Sequence, residues 1–185
     1  GPSGSGKSSL FSLILKECKP NKGRIRINNY YLDEISRFFW YQNLSLVSQS
    51  PFIFETSILN NIKIANPSAS FEEVVNATKE SGAFEYINNF KDKFDYSVKD
   101  GGINLSGGHS QLISLSRAIL KDSPIVLLDE PSNNLDNKSM VKLKQLLLNW
   151  AERNKLVIVI THDQRLLDEK FDIYEIKDFN LVRKS

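Results

Sequence analysis

Gly1-Pro2-Ser3-Gly4-Ser5-Gly6-Lys7-Ser8 opens the chain and satisfies the spacing G-x-x-x-x-G-K-[ST] at every position, with an apolar helical pattern following over residues 7–17. The glycines let consecutive backbone N–H groups turn inward around phosphate oxygens, and the start of the helix adds a partial positive charge. Lys7 is then expected to reach the β- and γ-phosphates of a nucleotide, and the Ser8 hydroxyl to ligate Mg2+. A plain glycine-rich turn is the alternative. Such a loop ordinarily follows a buried strand, so the chain reads as a fragment whose feeding strand lies before residue 1.

Outward from the loop, Leu10, Phe11, Leu13, Ile14 and Leu15 crowd most faces of the first helix, which ends before Pro20-Asn21-Lys22-Gly23. Residues 24–28 alternate like a half-buried strand that turns at Asn28-Asn29, and residues 44–48 form a second candidate strand running into Gln49. From residue 57 to 88 the pattern is helical, with Ser70-Phe71-Glu72-Glu73 as a capping box and Gly82 as a stop. A further helix is expected over 105–120, opened by Ser106-Gly107-Gly108, and another over 138–152. The apolar runs 125–128 and 156–160 have the character of strands buried on both faces of a parallel sheet, and residues 172–176 with 179–182 read as a closing hairpin. Alternating strands and helices predict an α/β fold.

The 185 residues suffice for one substantial core, and 24 basic against 22 acidic side chains, spread along the chain, form no basic stripe of the kind a nucleic-acid groove needs. A single cysteine, Cys18, excludes an internal disulfide framework, fits a reducing compartment and is expected to pack in a helix. No apolar run approaches the roughly 20 residues that cross a bilayer.

Two other segments carry chemistry. Ile125-Val126-Leu127-Leu128-Asp129-Glu130 delivers two acids at the carboxyl end of a strand, where open α/β sheets place ligands. Asp129 is suited to hold Mg2+ and Glu130 to polarise an attacking water, although acids also end strands for no functional reason. Leu105-Ser106-Gly107-Gly108-His109-Ser110-Gln111 opens a helix with free N–H groups for an anion; taken alone, Ser106 is an ordinary N-cap. Gln49 and His162, taken alone, are a solvated glutamine and a polar helix-start residue.

The order of these parts is what resembles an ATP-binding cassette (ABC) protein: phosphate loop, glutamine after a strand, Leu-Ser-Gly-Gly, an apolar run ending Asp-Glu-Pro, Leu-Asp, and histidine after a strand. The resemblance extends from Gly1 to about Ile176. It implies a phosphate-loop NTPase with a mainly parallel core sheet flanked by helices, plus an inserted α-helical signature subdomain at about residues 50–120, so that residues 1–185 form one nucleotide-binding domain incomplete at its N-terminus. ATP is the implied substrate and Mg2+ the cofactor. By the resemblance, ATP meets Gly1, Ser3, Gly4, Ser5, Gly6, Lys7, Ser8, Ser9 and Gln49; the metal meets Ser8, Gln49 and Asp129; and Glu130, His162 and Lys7 are catalytic. A second cassette, in a homo- or heterodimer, receives Ser106, Gly107, Gly108 and Asp136 against its own ATP. Burial between two helix starts neutralises the triphosphate and excludes water, which is the physical rationale for pairing.

Ser50-Pro51-Phe52-Ile53-Phe54-Glu55-Thr56-Ser57-Ile58-Leu59-Asn60-Asn61-Ile62 resembles exporter-type cassettes, implying a transmembrane partner domain, a place at the cytoplasmic face of the cell membrane and no nucleic acid; an ordinary core segment is the alternative reading of its apolar residues. The alternatives are a soluble ABC switch uncoupled from transport and a weakly hydrolytic partner in a heterodimeric transporter. His109 stands where the family has glutamine, Ser110 and Leu112 where it is commonly basic, and Asn133-Asn134 where Ser-Ala is common. The aromatic residue that stacks on adenine in relatives falls upstream of the chain.

Overall fold

A computed structural model describes residues 6–177 and 180–184. In chain order its elements are α1 Lys7–Ile14, β1 Arg26–Ile27, β2 Tyr30–Tyr31, α2 Arg37–Gln42, β3 Leu44–Val47, α3 Ile58–Lys63, α4 Phe71–Ser81 and α5 Phe84–Ile87. There follow α6 Gly107–Lys121, β4 Ile125–Asp129, α7 Asn137–Glu152, β5 Leu156–Ile160, β6 Tyr174–Lys177 and β7 Asn180–Arg183. The chain divides into two compact units, one made of Gly1–Leu44 and His162–Ser185, the other of Ser45–Thr161.

In the first unit, α1 stops at Ile14 and not at residue 17 as its apolar run predicts. Its terminal carbonyls find other donors: the Trp40 indole N–H bonds Ile14 O at 2.8 Å, the Tyr41 hydroxyl bonds Leu15 O, and the Arg37 guanidinium bonds Lys16 O. These side chains of α2, an element with no clear sequence signal, satisfy groups that a helix end leaves orphaned. Lys16 adopts φ 58° and turns its ammonium onto Leu32 O and Ile35 O. Cys18 therefore lies beyond the helix and is exposed, which corrects the expectation that it packs in one. The predicted strand at 24–28 shrinks to β1, paired antiparallel with β2 across Asn28-Asn29, where Asn28 takes φ 52°. β6 and β7 form the second antiparallel hairpin.

In the second unit the sheet order is β3-β4-β5, with β4 and β5 parallel from Ile125 opposite Leu156 to Asp129 opposite Ile160. The expected two-faced burial holds for β4, whose Val126, Leu127 and Leu128 are 1%, 0% and 0% exposed. It does not hold for β5: Leu156 is exposed and residues 157–159 are half-buried. An apolar run reports strand character, but how many neighbours cover it depends on sheet position, and β5 stands at the end of the order.

The helical part of this unit follows its caps. Ser70 Oγ accepts from the Glu73 N–H at 3.2 Å while the Glu73 carboxylate accepts from the Ser70 N–H at 2.7 Å, and Gly82 ends α4 at φ 88°. α4 packs on α6, where Ser81 and Ser116 share a buried hydroxyl contact of 2.8 Å. α7 turns Met140, Leu143, Leu146, Leu147 and Trp150 inward at helical spacing and packs against α4 and β5. No helix among the described residues is long and apolar enough to cross a membrane.

One polar clamp fixes the segment between β3 and α3. The Arg117 guanidinium on α6 donates to Asn61 O, Asn61 Oδ1 and Phe52 O, each at 2.7 Å. The Asn61 amide in turn bonds both the N–H and the C=O of Phe54. Asn61 is fully buried, and burial pushes the Arg117 guanidinium down to about 10. Removing the donor takes the side-chain partner from Asn61 O and Phe52 O and leaves Asn61 Oδ1 with the Phe54 N–H alone, so Arg117→Met should destabilise this unit by about 2–4 kcal/mol in urea unfolding. Loss of the exposed α4 cap in Ser70→Ala should cost only about 1 kcal/mol in the same assay.

Candidate functional site

The first unit holds Gly6, Lys7, Ser8, Ser9 and His162; the second holds Gln49, the 106–108 turn, Asp129, Glu130 and Asp136. The expectations for Gly1, Ser3, Gly4 and Ser5 fall outside the described residues. Gly6 caps α1 at φ 97°, a left-handed conformation that disfavours a side chain, so the last glycine of the loop meets a backbone requirement. Lys7 is half-buried, and Ser8 and Ser9 are exposed on the first turn of α1. His162 is exposed just past β5, and Gln49 is exposed two residues past β3.

β4 releases its acids in two different states. Asp129 is the last strand residue and half-buried. Glu130 is 8% exposed, adopts φ 47°, and donates its backbone N–H to Ile160 O at 2.8 Å. The strand–strand ladder thus extends one residue beyond Asp129 and then breaks, because a non-glycine residue in the left-handed region turns the chain. Asn133 N–H returns to Glu130 O at 3.1 Å and Leu135 N–H to Ser132 O at 3.2 Å. Asp136 then caps α7, accepting from the Ser139 N–H at 2.7 Å. That bond holds the Asp136 carboxyl below its ordinary value.

This turn reaches the 106–108 segment. Ser106 caps α6 and accepts from the His109 N–H at 3.2 Å. Gly107 and Gly108 lie against Asn134, which itself has φ 62°. A Cβ on Gly107 would stand 2.9 Å from Asn134 Nδ2, and one on Gly108 would stand 2.5 Å from Asn134 O. Neither position has room for a side chain. A cavity of about 290 Å³ opens beside this contact, lined in part by Ser106, Gly108, Asn134 and Asp136 and by Lys138 and Lys142 from α7; Asp129, Glu130 and Gln49 do not line it. The Ser132 hydroxyl in this turn and Gln111 Nε2 on α6 are buried without a hydrogen-bond partner among the described residues, at a cost of about 1–3 kcal/mol each.

Among the described residues no three His, Cys, Asp or Glu side chains group as a metal cage. Ser8, Gln49 and Asp129 offer only oxygen donors, the kind Mg2+ accepts when phosphates complete its shell, so the donor chemistry fits that ion. Sequence reasoning singled out Asn134 only as a departure from a pattern; its packing against two glycines came with the structure. It missed Tyr86, whose ring stacks on His109, and Arg117. The run of aromatics Tyr86, Phe90 and Tyr96, at and just past the end of the helical stretch, was the available signal for the first.

A family model described as ABC transporter matches residues 1–133. The chain is 37% identical over 162 residues to the glutathione/L-cysteine transport system ATP-binding/permease protein CydC of Bacillus subtilis, covering 88% of this chain and 28% of that protein. It is 36% identical over 162 residues to ABC transporter B family member 14 of Arabidopsis thaliana, covering 88% of this chain and 13% of that one. Among solved structures it is similar to a bacterial Atm1-family ABC exporter with ATP bound, with a TM-score of 0.92, 27% identity, and coverage of 98% of this chain and 32% of the exporter chain. The chain thus spans less than a third of the length of these relatives.

The two glycine contacts differ in what must yield. Gly107→Ala meets a side-chain amide, so Asn134→Gly, which also tolerates φ 62°, should restore most of the stability that Gly107→Ala loses. Gly108→Ala meets a carbonyl and should lose about 1–3 kcal/mol with or without Asn134→Gly. Thermal unfolding of the three single and two double variants, treated as two double-mutant cycles, checks this; equal rescue of both glycines would contradict it.

Proposed function

Since this chain belongs to the ABC transporter family, we propose that it is the nucleotide-binding part of an exporter, which binds and hydrolyses ATP to drive a transmembrane partner. The observation that carries this reading is the end of β4: an apolar strand buried at Val126, Leu127 and Leu128 ends on a half-buried Asp129 and, one residue on, a Glu130 fixed by its own backbone bond. Such a pair suits an activated water at a phosphoryl group, where positioning and electrostatics supply nearly all of the catalysis. The relatives are described as transporters, which favours export over a soluble switch uncoupled from transport.

In this reading the backbone of Gly1, Ser3, Gly4, Ser5 and Gly6 cradles the phosphates, with Ser9 on the following turn. Lys7 supplies a point charge to the β- and γ-phosphates. Mg2+, when bound through Ser8, Gln49 and Asp129, supplies charge neutralisation at the phosphates. Glu130 accepts a proton from the attacking water, and His162 donates a hydrogen bond to the γ-phosphate. Residues at about 50–120 act as the helical signature subdomain. Ser106, Gly107, Gly108 and Asp136 face ATP held by a second cassette, so closure of the pair follows ATP binding and opening follows loss of the γ-phosphate. The assembly works at the cytoplasmic face of the cell membrane, with no nucleic acid involved.

Calorimetric titration with Mg2+-ATP should show saturable binding that Lys7→Ala abolishes in a folded protein. In the protein joined to its membrane partner, Glu130→Gln should leave ATP affinity within about threefold and lower turnover by about 100-fold or more. Undiminished turnover would refute the role given to Glu130.

A further inference from the structure

His109 occupies the first turn of α6 and is tied on three sides. Its backbone N–H donates to Ser106 Oγ at 3.2 Å, and its backbone C=O accepts from the Tyr86 hydroxyl at 3.3 Å. Its imidazole lies flat on the Tyr86 ring, with centroids 4.1 Å apart and planes 10° from parallel. Phe90 presents an edge to both rings and stacks in turn on Tyr96 at 4.0 Å. One residue therefore joins the serine of the 106–108 turn to an aromatic column that runs through α5 and the segment after it.

We propose that His109 is a positioning residue for the 106–108 turn, and that its stack on Tyr86 sets how firmly this chain grips the triphosphate held by a second cassette. The proposal rests on the reading that Ser106, Gly107 and Gly108 face ATP in trans. Ser106 has one hydroxyl, already accepting from the His109 N–H, so its direction follows the rotation of His109 about α6. Movement toward Asn134 is opposed at Gly108 by a backbone carbonyl and at Gly107 by the Asn134 side-chain amide. The remaining freedom of the turn is rotation about α6, and the planar stack resists it. A glutamine at 109 has no flat ring to lay on Tyr86.

The stack also has a proton dependence that a purely apolar prop would lack. Burial holds the His109 imidazole below its ordinary 6.5 and pushes the Tyr86 phenol far up, so near neutral pH a neutral imidazole rests on a protonated phenol. The groups around it are Glu85 and Tyr86 on α5, Asp136 at the start of α7, and Lys138 and Lys142 on α7. Phe90 and Tyr96 bring no charge to the column near neutral pH. Glu85 is paired with Lys142 at 2.8 Å, and Asp136 is engaged with the Ser139 N–H. A protonated imidazole would also face the positive end of its own helix. With a lowered folded value, the neutral arrangement is fully favoured above 6.5 and loses that advantage as pH falls through 6.5 toward the folded value.

The test follows ATP-driven self-association of the chain carrying Glu130→Gln, by sedimentation velocity, at about pH 7.5 and about pH 5.5. His109→Ala should raise the ATP concentration for half-association by roughly two- to tenfold at the higher pH, the range of an aromatic pair. His109→Phe, which keeps a flat ring and cannot titrate, should match the unaltered residue at the higher pH and hold that value at the lower, where His109 itself weakens. A cooperative thermal transition is required of each variant, and His109→Phe keeps the test decisive if His109→Ala fails to fold. Association that needs Ser106 but ignores His109→Ala, or the same pH response in His109→Phe as in His109, overturns the proposal alone. No ATP-driven association, or association indifferent to Ser106→Ala, overturns the trans reading and the proposal with it.

Discussion

A backbone hydrogen bond from Glu130 N–H to Ile160 O, 2.8 Å long, governs the geometry around the acids of β4. It extends the parallel pairing of β4 and β5 one residue beyond the strand, so Glu130 is held at the strand end while its φ of 47° throws the chain out of the sheet. The turn then has little choice of path. Two short backbone bonds within residues 130–135 coil it, Leu135 is 8% exposed and anchors it, and Asp136 converts it into the start of α7. Asn134, at the apex with φ 62°, is delivered against Gly107 and Gly108 as a consequence. The position of the acid, the cap of one helix and the seat of another thus follow from one ladder continued past its last strand residue.

That arrangement was legible in part. The capping box at Ser70, the stop at Gly82, the start of α6 at Ser106 and the two apolar strands all follow from local chemistry, and the structure places each where local rules predict. The misses are tertiary. α1 ends early because Trp40, Tyr41 and Arg37, more than 20 residues away in sequence, claim its last carbonyls. β5 is half-covered because strand order, unlike strand propensity, is not written in an apolar run. The ordered series of motifs was enough to point to the family that the comparisons show, whereas the contact of Asn134 with two glycines needs coordinates, since nothing in the intervening residues 109–133 marks Asn134 as their neighbour.

The helical part of the second unit is held by a different kind of force from the sheet. β4 is secured by apolar burial, which is strong but insensitive to direction. The 52–61 segment is secured by Arg117 and Asn61, whose hydrogen bonds fix direction and leave Phe52 and Phe54 62% and 44% exposed, ring edge to ring face at 4.8 Å. Two large aromatics held outward by a buried polar clamp are a surface kept in place at a cost in desolvation, as the lowered Arg117 value records.

The glycines at 107 and 108 show why a motif and its usual explanation should be separated. Free N–H groups at a helix start are the customary reason for glycine beside an anion, and they remain the basis for assigning this turn to a nucleotide in trans. Yet in this chain the absence of a Cβ is demanded from the other side, by Asn134, whether or not any nucleotide is near. Under the proposed function the same two residues answer to two constraints: closeness to the turn that follows Glu130, and openness toward an anion. A displacement of Asn134 toward α6 has no slack to absorb it at Gly108, where the opposing atom is backbone. Under the proposed function, any rearrangement of residues 130–136 that accompanies loss of the γ-phosphate must be passed to the α6 N-terminus of the same chain, and this packing gives a physical route by which a cassette's own hydrolytic turn acts on its hold on its partner's ATP.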